Sequence, residues 1–316
     1  MRVLFVTNCY PTKKDPDYGI FVKTQYNSLS SMVDLDVHFI NGRENGFKEY
    51  FKKPPRHIID SCDVIHFHHV FCLLASLPWV MFARKKIVLS FLNEFANEIK
   101  FGLPNFFKVL ICRFSILFCD RYIMKSTNDL THKKAVYLPN GVDSEFFIAA
   151  SSPSDTNKIF FVSSKNRFRK QKRLDVAEKV IDVLKENYGI SAKLFIASGL
   201  RREEYHRQLS TSKLHLLCSD YEGSPNSIKE AMSCNIPVVS TDVGNVKKMF
   251  SSLKSPFYRV SNTNDPFLLA KHVSQVIKND SICDDGRALI AANKLDLKDV
   301  AIELVSLYGQ LIKEKK

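Results

Sequence analysis

No two of the eight cysteines stand in a C-x-x-C spacing. With no pattern of paired cysteines, a disulfide frame is not expected, and the thiols read as reduced ones in a cytoplasmic protein. The opening run, Met1-Arg2-Val3-Leu4-Phe5-Val6-Thr7-Asn8, is too short for the apolar region of a signal peptide and reads as a first strand. No apolar run reaches the roughly 20 residues that a membrane-crossing helix needs. The longest, residues 106–119, is interrupted by Lys108 and Arg113 and reads as a core helix or as a helix lying on a membrane surface. Neither a repeat nor a low-complexity tract is present, which argues against a solenoid. No recognisable nucleic-acid-binding motif accompanies the net charge of +13, so nucleic acid is not expected as a partner.

What the chain does have is size and alternation. Its 316 residues, 45% of them hydrophobic, suffice for two α/β domains of roughly 150 residues each. Residues 3–6, 35–40, 63–68, 87–91 and 122–124 read as strands, with a helix over 21–30. This alternation predicts a parallel sheet covered on both faces. A small, polar stretch over 149–157 reads as the linker, and the pattern then restarts with strands at 159–162, 194–197, 214–218 and 238–240 and a helix over 174–184. The expected domains are therefore 1–150 and 151–296, with a last helix over 297–316 carrying Val300, Leu304, Leu307 and Leu311 on one face. Basic clusters at Lys52-Lys53-Pro54-Pro55-Arg56 and Arg84-Lys85-Lys86 suit an anionic membrane surface together with a diphosphate ligand, or are simply solvated charge.

The most informative stretch is Glu222-Gly223-Ser224-Pro225-Asn226-Ser227-Ile228-Lys229-Glu230. Ser224 suits an N-cap and Pro225 the first helical position, where a missing N–H costs nothing. The free N–H groups of Asn226 and Ser227 would then face an anion or a sugar hydroxyl. Ile228, Ala231 and Met232 form one apolar face; Asn226 and Glu230, four apart, share another. Glu230 is thus expected to turn toward a cleft and not the core. The segment runs on through Ala231-Met232-Ser233-Cys234-Asn235-Ile236-Pro237-Val238-Val239 to Gly244, which reads as helix, turn, buried strand and glycine-bearing loop.

With two glutamates separated by seven residues in this setting, the chain resembles the retaining glycosyltransferases of family 4, which have the GT-B fold. The resemblance is strong from Lys213 to Gly244, fair at Asn140-Gly141-Val142-Asp143 and in the first loop, and weak after Ser251. It implies two Rossmann-like, doubly wound domains facing a central cleft, with a final helix crossing back to the first. It also implies transfer of a hexose-type unit from a nucleotide-diphosphate sugar to a glycan or lipid-linked acceptor. The setting would be surface or envelope polysaccharide assembly, with the protein cytoplasmic or peripheral on the inner face of the plasma membrane. No cofactor and no metal are implied; the nucleotide sugar is a substrate.

Such a transfer needs positive charge or N–H donors for the departing diphosphate, and a grip on the sugar. The loop from Ser163 to Arg173 follows a strand and precedes a helix, where ligands bind in open α/β sheets. By resemblance, Arg167 and Lys172 hold the diphosphate, although the glycine that usually follows the lysine is absent and six basic residues share the loop. Glu222 and the backbone of Gly223, Ser224, Pro225, Asn226 and Ser227 would touch donor sugar and phosphate; Glu230 would bind the ribose hydroxyls. Two routes stay open: a covalent intermediate on Glu222, or attack from the face that the diphosphate leaves, with a diphosphate oxygen taking the proton. In the first loop Gly19 resembles the glycine that lets backbone approach the diphosphate. His66 and His68 are expected to line the cleft or the core; as a pair on one strand face they could also ligate a metal. Where relatives carry His-Gly, this chain has Leu92 and Asn93, so Asn93 or Glu94 is expected to supply the polar contact. The alternatives to a transferase are a non-catalytic nucleotide-sugar-binding or partner subunit, and a GT-B-fold nucleotide-sugar epimerase.

Overall fold

Every strand pair among the described residues is parallel, so the connections between paired strands cross over the sheet, and helices fill most of those crossovers. A computed structural model describes residues 1–16, 18–99, 102–127, 130, 132–151, 155–163, 170–279 and 281–314. The chain divides into two units, Met1–Asn140 with Leu297–Lys316, and Gly141–Asp296.

The first unit contains, in chain order, β1 (Arg2–Thr7), α1 (Ile20–Leu29), β2 (Asp34–Phe39), α2 (Gly42–Asn45) and α3 (Arg56–Ser61). It continues with β3 (Val64–Phe67), α4 (Val70–Ala83), β4 (Lys86–Ser90), α5 (Phe95–Glu98), α6 (Asn105–Ile116), β5 (Arg121–Met124) and β6 (Ala135–Tyr137). The sheet order is β2-β1-β3-β4-β5-β6. Val3, Phe5, Val64, Val88 and Ile123 look to one face, and Leu4, Val6, Ile65, Phe67 and Leu89 to the other. Both sets are buried, as the continuous apolar runs of these strands require.

The second unit holds β7 (Asp155–Val162), α7 (Leu174–Tyr188), β8 (Lys193–Ala197), α8 (Arg202–Ser210), β9 (Ser212–Leu217) and α9 (Asn226–Ser233). Then come β10 (Val238–Thr241), α10 (Val246–Ser251), β11 (Tyr258–Ser261), α11 (Pro266–Ile277) and α12 (Gly286–Ala292). Its order is β11-β10-β9-β7-β8. Counted within its own unit, each sheet has the same 2-1-3-4-5 start, with the order reversing between the first and third strands. In such sheets the carboxyl ends of those two strands open the crevice where ligands bind. Helix α7 shows how the sequence sets its own ends: Asp175 lies in the first turn, Lys185 in the last, and Gly189 closes it at φ +66° with its N–H on Leu184 O.

The last helix, α13 (Leu297–Lys313), packs on α1 and buries Val300, Leu304, Tyr308 and Leu311 in the first unit's core. The division between the units falls earlier than the polar stretch 149–157. Val142 N–H bonds Leu295 O at 2.8 Å, Phe147 is buried in the second core, and Ser233 Oγ donates to Phe147 O at 2.6 Å. Residues 141–150 therefore belong to the second unit, because two adjacent phenylalanines outweigh a polar tract as a domain signal. Among the described residues no helix is long and apolar enough to cross a membrane.

Candidate active site

Strand β9 ends in Leu217, and the chain emerging from its carboxyl end carries Cys218, Ser219 and Asp220 into the second unit's switch point, between β7 and β9. Here Glu222 and Lys172 meet: Lys172 Nζ donates to Glu222 Oε1 at 2.5 Å, and Ser219 Oγ donates to the same oxygen at 2.9 Å. Lys172 ends a short 3-10 turn, Lys170–Lys172, and is 8% exposed. That turn is tied to the loop by Asp220 N–H on Gln171 O at 2.8 Å and by Arg173 on Asp220 at 3.2 Å. A buried lysine is costly unless paired, and its partner here is Glu222. Arg167, the other basic residue expected at the diphosphate, lies outside the described residues.

The turn Glu222-Gly223 is pressed against Gly244, which adopts φ +57°. A Cβ at Gly244 would come within 2.2 Å of Gly223 O and 2.8 Å of Glu222 O. The glycine in the loop after β10 is therefore required by the backbone of the loop that carries Glu222.

The helix start differs in detail from expectation. Helix α9 begins at Asn226, and Pro225 precedes it as N-cap with no side-chain cap bond. Ser224 does not cap; its Oγ accepts from Lys229 Nζ at 2.8 Å. Lys229 is wholly buried, so it uses the serine hydroxyl to satisfy an ammonium that the interior would otherwise reject. The first N–H groups of α9, at Asn226 and Ser227, remain the end of a positive helix dipole. Asn226 Oδ1 is buried with no hydrogen-bond partner among the described residues. Ser227 Oγ is fixed by His215, whose Nδ1 lies 3.0 Å from Phe160 O and whose Nε2 lies 3.0 Å from Ser227 Oγ. The carbonyl can only accept, so Nδ1 carries the proton and Nε2 accepts from the serine. Burial pushes His215 down to about 4, which keeps that neutral tautomer.

Glu230 lies four residues along the helix from Asn226, half-buried and turned back onto α8, where Tyr205 Oη–H donates to its Oε2 at 2.7 Å. Burial raises the carboxyl above its ordinary 4.5, and the Tyr205 hydrogen bond partly opposes the rise. One oxygen of Glu230 is thus engaged by Tyr205. Tyr205, His215, Ser219 and Lys229 are the supporting residues that sequence reasoning missed. Each is three or more positions from its partner, and only His215, alternating with the apolar residues of a strand, carried a visible signal.

In the first unit the expected residues disperse. Gly19 caps α1 in the left-handed region at φ +71°, and a Cβ there would lie 2.2 Å from the carbonyl carbon of Cys9. Its neighbour is the loop backbone after β1. His66 is fully buried, with Nδ1 2.6 Å from Tyr308 Oη and Nε2 2.8 Å from Ser90 Oγ. It belongs to the core and ties α13 to the sheet, so a cleft-lining part is not open to it. His68, 4.2 Å from the His66 ring, bonds Gln25 Oε1 through Nε2 at 3.0 Å, and burial, then Lys125, push it down to about 3. Among the described residues no group of three or more His, Cys, Asp or Glu is placed to hold a metal ion.

Asn93 N–H, together with Leu92 N–H, donates to Glu98 Oε2 at 2.9 Å, while Glu94 precedes α5 without a side-chain cap. The buried carboxylate that organises this loop is thus Glu98, on α5. Lys125, buried just after β5, is lowered to about 7 by burial, with the Glu98 charge pulling the other way.

Comparison with known proteins bears on the same segment and on the fold. The family described as glycosyl transferases group 1 matches residues 176–294, the part of the chain that holds Glu222 and Glu230. No curated protein matches the sequence. Among solved structures, sucrose-phosphate synthase from Thermosynechococcus elongatus is 12% identical, with 98% of this chain and 99% of that chain covered at a TM-score of 0.77. HepE from Anabaena, solved in complex with UDP and glucose, is 14% identical over 98% and 99% of the two chains at 0.71. A glycosyltransferase from Rickettsia africae is 12% identical over 99% of each at 0.66. At these identities the likeness establishes the fold, which is that of GT-B proteins: two Rossmann-like α/β units in one chain.

Proposed function

We propose that the chain is a retaining glycosyltransferase that moves a sugar from a nucleotide-diphosphate donor to a glycan or lipid-linked acceptor, in the assembly of a surface polysaccharide. The observation that carries this reading is the Lys172–Glu222 pair at the switch point of the second sheet, beside the amino end of α9 and the unpartnered Asn226 Oδ1. The family match over this segment and the UDP bound in HepE support it.

In this reading Lys172, with Arg167, exchanges Glu222 for the diphosphate. Glu222 keeps its bond to Ser219 and receives a hydroxyl of the donor sugar. The N–H groups of Asn226 and Ser227 meet phosphate oxygens, Gly223, Ser224 and Pro225 shape the floor, and Glu230 takes the ribose hydroxyls with its free oxygen. The acceptor is assigned to the first unit, near Gly19, Asn93 and Glu94. The bond from the anomeric carbon to the diphosphate oxygen breaks, the acceptor oxygen bonds that carbon from the same face, and its proton passes to the departing diphosphate. The lysine and the helix end supply the positive charge that departure demands, so no metal is assigned.

The test is a thermal-shift screen of the full chain against UDP, GDP, ADP, dTDP and their sugars, followed by anomeric analysis of any product by NMR. One nucleotide should raise the midpoint in the wild type and not in Glu230→Ala. A folded sample that responds to none of them would overturn the proposal. Binding without transfer to any acceptor would point to a non-catalytic subunit, and a new nucleotide sugar formed from donor alone to an epimerase.

A further inference from the structure

Helix α6 turns its apolar residues in two directions. Cys112, Ser115 and Ile116 enter the first unit's core. Phe106, Phe107, Leu110, Phe114 and Leu117 face outward, with Phe106 72% and Leu117 69% exposed. At 3.6 residues per turn these five fall within an arc of about 100° that runs about 16 Å along the helix. No charged residue falls on that arc; Arg113 lies about 20° beyond its edge. An ordinary surface helix shows the reverse arrangement, with charge outward. Beside it, α4 packs on α6 and ends in Met81 and Phe82, 66% and 84% exposed. Soluble proteins rarely leave so many large apolar side chains together in water.

We infer that this face docks on an anionic lipid bilayer, with the α6 aromatics entering the headgroup boundary. Charge decides the occupant. The sequence holds no Asp or Glu from Val70 to Asn93, nor from Ile99 to Cys119. The charged residues of these two segments are all basic, and Arg84, Lys85, Lys86, Lys108 and Arg113 are among them. Lys86 is paired with Asp120, but the charged side chains on α6 itself, Lys108 and Arg113, are both basic, and apolar groups set beside basic ones match an interface of acyl chains and negative headgroups. A second copy of the chain would instead set like charges against each other across a two-fold face. The face lies within the first unit and owes nothing to the donor site, so the inference stands or falls separately from the transferase reading.

The experiment is co-sedimentation of the full chain with phosphatidylcholine vesicles and with vesicles that also contain phosphatidylglycerol, for the wild type and for Phe106→Ser/Phe114→Ser. Both substituted positions are exposed, so the variant should fold, which its thermal midpoint and any nucleotide shift would verify. The wild type should sediment with the anionic vesicles and less with the neutral ones, and the variant's partition should fall at least about tenfold. No partition of the wild type to anionic vesicles would overturn the inference, as would undiminished partition of the variant. A lipid-free wild-type dimer that the variant cannot form would also overturn it, by making the face an interface between copies.

Discussion

Tyr205 donates its phenolic hydrogen to Glu230 Oε2 at 2.7 Å, so the carboxylate proposed to hold ribose is oriented by a helix that precedes it by two elements. Tyr205→Phe should weaken nucleotide binding about three- to tenfold, less than Glu230→Ala, because orientation is lost while charge remains. Removing the donor should also lift the Glu230 carboxyl further, since that bond opposes its burial. A ribose hydroxyl donates best to the ionised carboxylate. Nucleotide affinity in the wild type should therefore fall as pH drops toward the raised Glu230 value, and Glu230→Gln should remove that component. Calorimetric titrations of both proteins across acid pH check this; superimposable profiles would refute it.

The Lys172–Glu222 bond at 2.5 Å makes a double-substitution cycle informative. Lys172→Met should weaken nucleoside diphosphate binding by about ten- to a hundredfold, the scale of one hydrogen bond to a charged group. Glu222→Gln should leave diphosphate binding nearly intact and remove most turnover, because its assigned partner is the sugar. The two effects should not add, since each residue positions the other. Equal losses of binding in both single variants would show instead that the pair is only a structural clasp.

The candidate site was legible because its chemistry is local. A turn, a proline and two carboxylates eight positions apart lie on one loop and one helix, and periodicity places them. What surrounds them is set by tertiary packing. Nothing near Ser224 announces that Lys229 would turn inward and take the serine hydroxyl, displacing the helix start to Asn226. Lysine ordinarily stays in water, and only the completed core shows this one enclosed. Most strands of both sheets could be read from their apolar runs, whereas the short strands β6 and β11 and the helices α2, α3, α4, α5, α8, α10, α11 and α12 could not. Helix α8 is mostly polar and is held by a few contacts, such as Tyr205 and Leu209, that only the fold supplies. The boundary between the units falls at Gly141 and not at the polar stretch, because Phe147 is buried in the second core with Phe146 packed against it.

Gly244 offers a test that leaves every proposed ligand contact chemically intact. Its φ of +57° and the 2.2 Å approach of a Cβ to Gly223 O mean that Gly244→Ala must displace the Glu222-Gly223 turn. The substitution should cost roughly 1–3 kcal/mol of stability. It should also reduce turnover well beyond that of an alanine at Gly309, where a Cβ meets nothing within 4 Å. Thermal unfolding and initial rates on both variants measure the contrast. Comparable behaviour would mean that the turn can move freely without consequence.

Lys125 gives the first unit a pH signature. Burial lowers it from 10.5 to about 7, against the pull of Glu98, and its Nζ donates to Leu138 O at 3.1 Å. Between those two values the unfolded chain holds a proton that the folded one has released. Stability therefore rises with pH across that interval, and below about 7 the fold bears a buried ammonium. Lys125→Met removes the linkage, so the wild type should gain on the variant as pH rises from 7 toward 10.5. Unfolding midpoints of the two proteins over that interval decide it. Parallel curves would mean that the ammonium stays protonated in the fold.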